Sequence, residues 1–198
     1  MIEDSNDDAE VAEAGPVGEG ARDSERRREL VTRLIEYSAA NGLSGMSLRP
    51  LAAAVGSSPR VLLYFFGSKE GLVREILGHA RVNQLELVER SLAEQDLDRK
   101  PIEVLWEWLT DPGHAEIEKL FFESYARSLH DKDGAFREFG AASVADWLPP
   151  LAQLLSDQPP ERATLVLAAI RGLLLDLLAT GDRERVQRAF ADLLRLVS

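Results

Sequence analysis

The stretch that decides the fold is residues 47–67, SLRPLAAAVGSSPRVLLYFFG. It holds two short apolar segments separated by the sequence GSS at 56–58, and Gly67 ends the second segment. Apolar residues recur at helical spacing in both segments, Ser47 is placed to cap the first, and Pro59 lies in the first turn of the second. We therefore predict two short helices joined by a tight turn. Flanked by longer helices, such a pair forms a helix-turn-helix unit, whose second short helix fits the major groove of DNA.

Outward from this stretch, apolar residues keep a period near 3.6 and no alternating strand pattern occurs, so the sequence predicts an all-α chain. A first helix is expected from about Ser24 to Ala40, and Ser68 should cap a long helix that reaches about Gln95. Further helices are expected near 101–110, 114–130, 135–156, 160–179 and 182–197. Pro149 and Pro150 should kink or split the third of these.

Composition excludes several classes of protein. The 198 residues are 45% hydrophobic and contain no cysteine, which excludes disulfide-stapled domains and cysteine-based metal or nucleophile sites. The apolar stretch at 165–179 is interrupted by Arg171 and Asp176 and is shorter than a membrane span. Because the N-terminus is acidic and lacks the pattern of a signal peptide, we expect a cytoplasmic protein with no membrane partner.

Charge is divided unevenly along the chain, whose formal net charge is −11. Residues 1–25 carry −8, residues 26–81 carry +5, and residues 82–198 carry −8. The first segment has few apolar groups, so we predict an acidic disordered tail over residues 1–24. The basic segment contains both short helices, which makes it the part that would face a polyanion.

Candidate DNA contacts lie on and around the second short helix. Arg60 can bond guanine bidentately, and Val61 can contact a thymine methyl. Hydroxyls, Lys69 and helix N-termini suit phosphate oxygens. The alternatives are that Arg60 is a solvated arginine, that the Tyr64 ring belongs to the core, and that the serines only cap helices. The full candidate set is Ser47, Arg49, Ser57, Ser58, Pro59, Arg60, Val61, Tyr64 and Lys69.

Aromatic residues concentrate between 106 and 147, where they could line a cavity for a small-molecule effector. Arg171 interrupts a very apolar helix and therefore needs a partner. A structural ion pair, for example with Asp176, is the favoured interpretation, and an anionic ligand is the alternative. The candidate cavity residues are Trp106, Trp108, Phe121, Phe122, Tyr125, Trp147 and Arg171.

The last two predicted helices are apolar on more than one face, which favours a four-helix interface between two copies of the chain. A homodimer would present two reading helices to the two half-sites of a near-palindromic operator. The candidate interface residues are Leu167, Ile170, Leu174, Leu178, Val186, Phe190, Leu193 and Leu194.

The stretch from Arg27 to Ile76 resembles the DNA-binding domain of the TetR/AcrR family of bacterial transcriptional regulators. The resemblance lies in the sequences AVG at 54–56, LLYFF at 62–66 and GSKEGL at 67–72. It implies about nine helices, three of which bind DNA, and a C-terminal domain that binds an effector and dimerises. It also implies a repressor that the effector releases from its operator. Two departures are the apolar Leu63 and Phe65 where the family often has Tyr or His, and Pro50 where it commonly has an acid.

We therefore predict a helix-turn-helix DNA-binding domain at 25–70 and a C-terminal helical effector-binding and dimerisation domain at 71–198. No hydrolase, metalloprotease or phosphate-loop motif occurs, so neither an enzyme nor a cofactor is expected. The isolated histidines have no metal-ligand spacing. The remaining alternative is a helical ligand-binding or protein-interaction protein that has lost sequence-specific DNA binding.

Overall fold

The computed structural model describes residues 17–42, 45–93 and 100–196, which form nine α-helices, one 3-10 turn and no strand. The all-α prediction is confirmed. The helices are α1 (Val17–Asn41), α2 (Leu48–Ala54), α3 (Pro59–Phe66), α4 (Lys69–Ala93), α5 (Pro101–Leu109), α6 (Ala115–Ser128), α7 (Phe139–Leu154), α8 (Glu161–Thr180) and α9 (Arg183–Leu196), with the 3-10 turn at Pro112–His114.

Local chemistry fixes both ends of α3. The Ser58 hydroxyl accepts a hydrogen bond from the Val61 amide at 3.3 Å, and Gly67 ends the helix at a φ of +73°, a conformation that other residues rarely adopt. A Cβ atom at Gly71 would overlap the carbonyl oxygen of Phe66. The turn into α4 can therefore be this tight only with glycine at position 71.

The start of α1, the start of α7 at Phe139 and the course of α7 past its prolines differ from the predictions. Helix α1 begins at Val17, and the hydroxyl of Ser24 donates to the Gly20 carbonyl within the helix rather than capping it. Residues 17–24 of the predicted tail are thus helical, whereas residues 1–16 lie outside the described residues. Helix α7 continues through Pro149 and Pro150, so the predicted split is wrong. The two prolines lack the amide N–H groups of a regular helix, but buried residues on both sides of the pair hold α7 in place.

The buried side chains form two hydrophobic cores. The first joins α1, α2, α3 and the first half of α4, which together we call the head, to Ile117 and Leu120 of α6 and to Phe136. The second joins the later half of α4 to α5, α7, α8 and α9. Each fully buried aliphatic or aromatic side chain contributes about 1.5–3 kcal/mol relative to exposure. Helices α4 and α6 therefore connect the head mechanically to the rest of the chain.

Within the described part of the chain, α8 is long and apolar enough to cross a membrane by length and composition, with a mean hydropathy of 1.8. Six of its residues are buried, and it packs against α7 and α9. A core helix of a folded protein passes the same test.

Candidate DNA-binding surface and effector cavity

Helix α3 has one face in the head core and one face in solvent. Leu62 and Phe66 are buried, as the spacing predicts, and Arg60 is exposed. Tyr64 is 71% exposed, so its ring is not part of the core. An exposed arginine and tyrosine on a helix held from behind by two buried side chains form a surface that can approach a DNA groove.

The other cationic and hydroxyl candidates lie at the starts of helices. Ser47 is the N-cap residue of α2 and Arg49 is in its first turn, and both are exposed. Lys69 is half-buried in the first turn of α4. Within the described residues, neither Arg49 nor Arg60 forms an ion pair. Their charges are therefore available to a polyanion.

Burial bears on three predicted contacts, and it argues against one of them, Ser57. The hydroxyl oxygen of Ser57 is buried and lacks a hydrogen-bond partner within the described chain, so it does not face DNA. Val61 is half-buried and packs against the head core. Pro59 is half-buried rather than exposed. The Ser57 hydroxyl, in the turn between the short helices, is therefore folded inward, which the sequence pattern did not reveal.

Two features of α3 were missed. The Tyr64 hydroxyl donates to a carboxylate oxygen of Asp23, 2.9 Å away on α1, which is possible because α1 extends beyond its predicted start. Leu63 is 44% exposed and adds an apolar group to the same surface. A phosphate that reaches Tyr64 would have to replace the Asp23 carboxylate.

A cavity lies between α4, α5, α6, α7 and α8, and its empty space is about 710 Å³ including the opening to solvent. It is concave and lined mostly by apolar side chains, as small-molecule sites are. Four predicted residues line it: Phe121, Phe122, Trp147 and Arg171. The lining also contains Arg81, Gln84, Glu118, Phe139 and Ser143, which the sequence analysis did not select.

The other three aromatic candidates do not line this cavity. Trp106 stacks on Phe190 with 4.4 Å between ring centroids, and its indole N–H donates to Gln187. Trp108 stacks on the half-buried His114. Tyr125 lies beside the cavity, where its ring contacts Arg171. Trp106 and Trp108 therefore have structural roles.

The favoured ion pair of Arg171 is wrong. Its guanidinium donates to the carbonyl and hydroxyl oxygens of Ser143, at 3.2 and 2.8 Å. Asp176 pairs instead with Arg185 at 2.6 Å. Burial lowers the pKa of Arg171 from its ordinary value. The side chain of Tyr125, which also interacts with Arg171, offsets part of this lowering of the pKa. Within the described chain, Arg171 pairs with no carboxylate.

Glu118 is the buried acid of the cavity. It is 3% exposed, and its carboxyl oxygen accepts a hydrogen bond from the Gln84 amide at 3.0 Å. Burial raises the pKa of Glu118 to about 8, and the bond from Gln84 offsets this only in part. The side chain is thus mainly a neutral carboxylic acid at pH 7. The sequence signal that could have identified Glu118 is an acid that directly follows the apolar Ile117 and lies about one helical turn before Phe121.

The predicted dimer interface is corrected as well. Six of its eight residues are buried in the second core, and Leu178 and Leu194 are half-buried against that core. The six buried residues pack within the protomer and are not free to meet a partner. The exposed apolar residues of α8 form a different stripe, spaced three and four residues apart, which consists of Leu165, Ala168, Gly172, Leu175 and Ala179.

Helices α1, α2 and α3 of the head, with α3 partly exposed, have the arrangement of a helix-turn-helix DNA-binding unit. Residues 35–76 match the family model of bacterial regulatory proteins, tetR family. Residues 35–76 therefore carry a DNA-binding domain of the TetR family type, as the motifs predicted.

Solved structures share the fold over most of the chain. A transcriptional regulator from Rhodococcus sp. Rha1 is 20% identical, with 86% of this chain and 95% of that one covered and a TM-score of 0.68. A TetR-family member from Streptomyces coelicolor A3 is 24% identical, with coverages of 88% and 99% and a TM-score of 0.62. The multidrug binding protein EbrR complexed with malachite green is 23% identical, with coverages of 88% and 99% and a TM-score of 0.64. No curated protein sequence matches significantly.

Proposed function

We propose that this protein is a homodimeric repressor that binds a palindromic operator and is released from it by a small-molecule effector. The proposal rests on one observation: some side chains line the cavity and also belong to the core of the head. Leu77, Ala80 and Ile117 line the cavity and also belong to the head core. A ligand that moves α6 or α4 therefore also moves the packing beneath α3.

In this proposal, Arg60 reads bases, and Ser47, Arg49, Ser58, Tyr64 and Lys69 hold phosphates. Base edges carry the sequence information, whereas phosphate contacts set the register of the protein on DNA. Arg60 is suited to guanine because a guanidinium donates two parallel hydrogen bonds to its major-groove edge. The N-termini of α3 and α4 add partial positive charge near the phosphates.

The dimer forms through the outer stripe of α8. Leu165 and Leu175 are 56% and 50% exposed, which is high for leucines on a helix whose opposite face lies in the core. A Cβ atom at Gly172, between them, meets nothing within 4 Å. The small residues leave room for a second α8 to approach closely, and two copies of the apolar stripe would cover each other.

Release by an effector is a shift between two conformations of the dimer. The effector must bind the state with displaced heads more tightly than the operator-binding state, since equal affinity for both shifts nothing. The proposal therefore requires that ligand and operator each weaken the binding of the other.

Arg60→Ala tests the reading function. We expect the variant to lose about 1–3 kcal/mol of discrimination at each half-site, or roughly 5- to 150-fold, without change in oligomeric state. Fluorescence anisotropy on an operator selected from random double-stranded DNA measures the loss. Arg60→Lys keeps the charge but not the fork of donors, so it should retain non-specific binding and lose sequence preference.

The matched control is Arg90→Ala, because Arg90 is exposed on α4 near the second core. Its affinity for the selected operator should equal that of the parent. Equal operator binding by Arg60→Ala and the parent would contradict the base-reading role of Arg60.

A further inference from the structure

The cavity holds two arginines in different electrostatic situations. Arg81 forms an ion pair with Asp146 at 2.7 Å, so its charge is compensated. Arg171 donates to Ser143, and its guanidinium carbon lies 5.5 Å from the ring centre of Phe121 and 5.1 Å from that of Tyr125. Within the described residues, no carboxylate lies within the 4.0 Å of an ion pair. Arg171 is therefore a half-buried cation that lacks a counter-ion there.

Glu118 does not compensate Arg171, although both line the cavity. It is bonded to Gln84 and is mainly protonated at neutral pH, because burial raises its pKa to about 8. A protonated carboxyl group can donate a hydrogen bond as well as accept one. Besides the compensated Arg81, the cavity therefore presents one cation without a counter-ion and one neutral acid to a ligand.

The rest of the lining is apolar and rich in aromatic rings. Phe121, Phe122, Phe139 and Trp147 line the space together with aliphatic side chains from α4, α5 and α8. These rings suit a flat apolar body. A ligand of this shape without charge would leave Arg171 without a counter-ion, and a cationic ligand would add a second positive charge to the site.

We propose that the cavity binds an aromatic carboxylate whose anionic group pairs with Arg171 while its ring lies among Phe121, Phe122 and Trp147. The proposal rests on the proposed effector-binding function and specifies the chemical class of the effector. A carboxylate is the geometric complement of the guanidinium fork. Arg171 is half-buried, so the pair gains more than it would at the surface.

Isothermal titration of the full-length protein with three probes that share one ring system tests this. The probes are 2-naphthoate, 2-naphthamide and 2-naphthylmethylammonium. We expect 2-naphthoate to bind at least tenfold more tightly than the other two, as a charge-assisted hydrogen bond implies. Equal or tighter binding of the amide or the ammonium probe would overturn the proposal, and so would binding of none of the three.

Variants of Arg171 and Arg81 show which arginine pairs with the carboxylate of 2-naphthoate. Arg171→Gln should lower the affinity for 2-naphthoate at least tenfold and leave that for 2-naphthamide unchanged, which also shows that the cavity is intact. Arg171→Lys should keep part of the preference. The control R81Q/D146N removes the compensated pair as a unit and should keep the full preference. Retained preference in Arg171→Gln would overturn the assignment.

Operator binding measured beside the titration separates the two proposals. If 2-naphthoate binds but leaves operator affinity unchanged, the ligand class stands and the effector function fails. If 2-naphthamide releases the operator and 2-naphthoate does not, the effector function stands and the ligand class fails.

Discussion

Gly172→Arg is expected to convert the protein from a dimer to a monomer and to lower its affinity for the operator by about 10²–10⁴-fold. Two linked heads bind the second half-site as an intramolecular event, and a monomer loses that advantage. The substitution places a charged side chain in the centre of the apolar stripe of α8. Because a Cβ atom at Gly172 meets nothing within the protomer, the fold itself should be unaffected.

Sedimentation and anisotropy on the same preparation measure both effects. Gly172→Ala is the matched control, since alanine adds one methyl group and already occurs one helical turn away at Ala168. It should remain dimeric, and its helix should gain up to about 1 kcal/mol. A dimeric Gly172→Arg would show that the copies meet through another surface.

Glu118→Gln is expected to make the protein more stable at alkaline pH and to flatten the dependence of its stability on pH. The ordinary pKa of a glutamate is 4.5, and burial raises that of Glu118 to about 8 in the folded chain. Between these values the folded chain keeps a proton that the unfolded chain releases, so stability falls as pH rises. The loss is at most about 1.4 kcal/mol for each pH unit. Glutamine stays neutral and avoids this loss.

Thermal unfolding of the parent and the variant from pH 4.5 to pH 9 measures the difference. The two should converge at the acidic end, and the variant should have the higher midpoint temperature at the alkaline end. Glu86→Gln, an exposed glutamate on α4, should follow the parent. Parallel curves for Glu118→Gln and the parent would mean that Glu118 ionises normally in the folded state.

The head could be predicted from the sequence because its signals are local. The Ser58 cap, Pro59 at the first helical position and the left-handed Gly67 each act within a few residues. The buried Leu62 and Phe66 follow from helical spacing alone. The family motif spans the same residues, so the two kinds of reasoning agree there.

The C-terminal half was harder to predict because its decisive contacts join distant residues. A charge in an apolar helix showed that Arg171 needs a partner, but Ser143 comes from another helix, 28 residues away. Periodicity identified Ile170 and Leu174 as apolar, but it does not say whether their neighbours come from the same chain. They lie in the protomer core, whereas Leu165 and Leu175 face outward.

Selection from random double-stranded DNA, followed by anisotropy of the enriched sequence across a salt series, tests the central claim most directly. We expect an enriched palindrome, bound roughly 10³-fold or more tightly than its scrambled counterpart, with an affinity that falls steeply as salt rises. If no sequence is enriched, or if the enriched and scrambled sequences bind alike, sequence-specific operator recognition is contradicted.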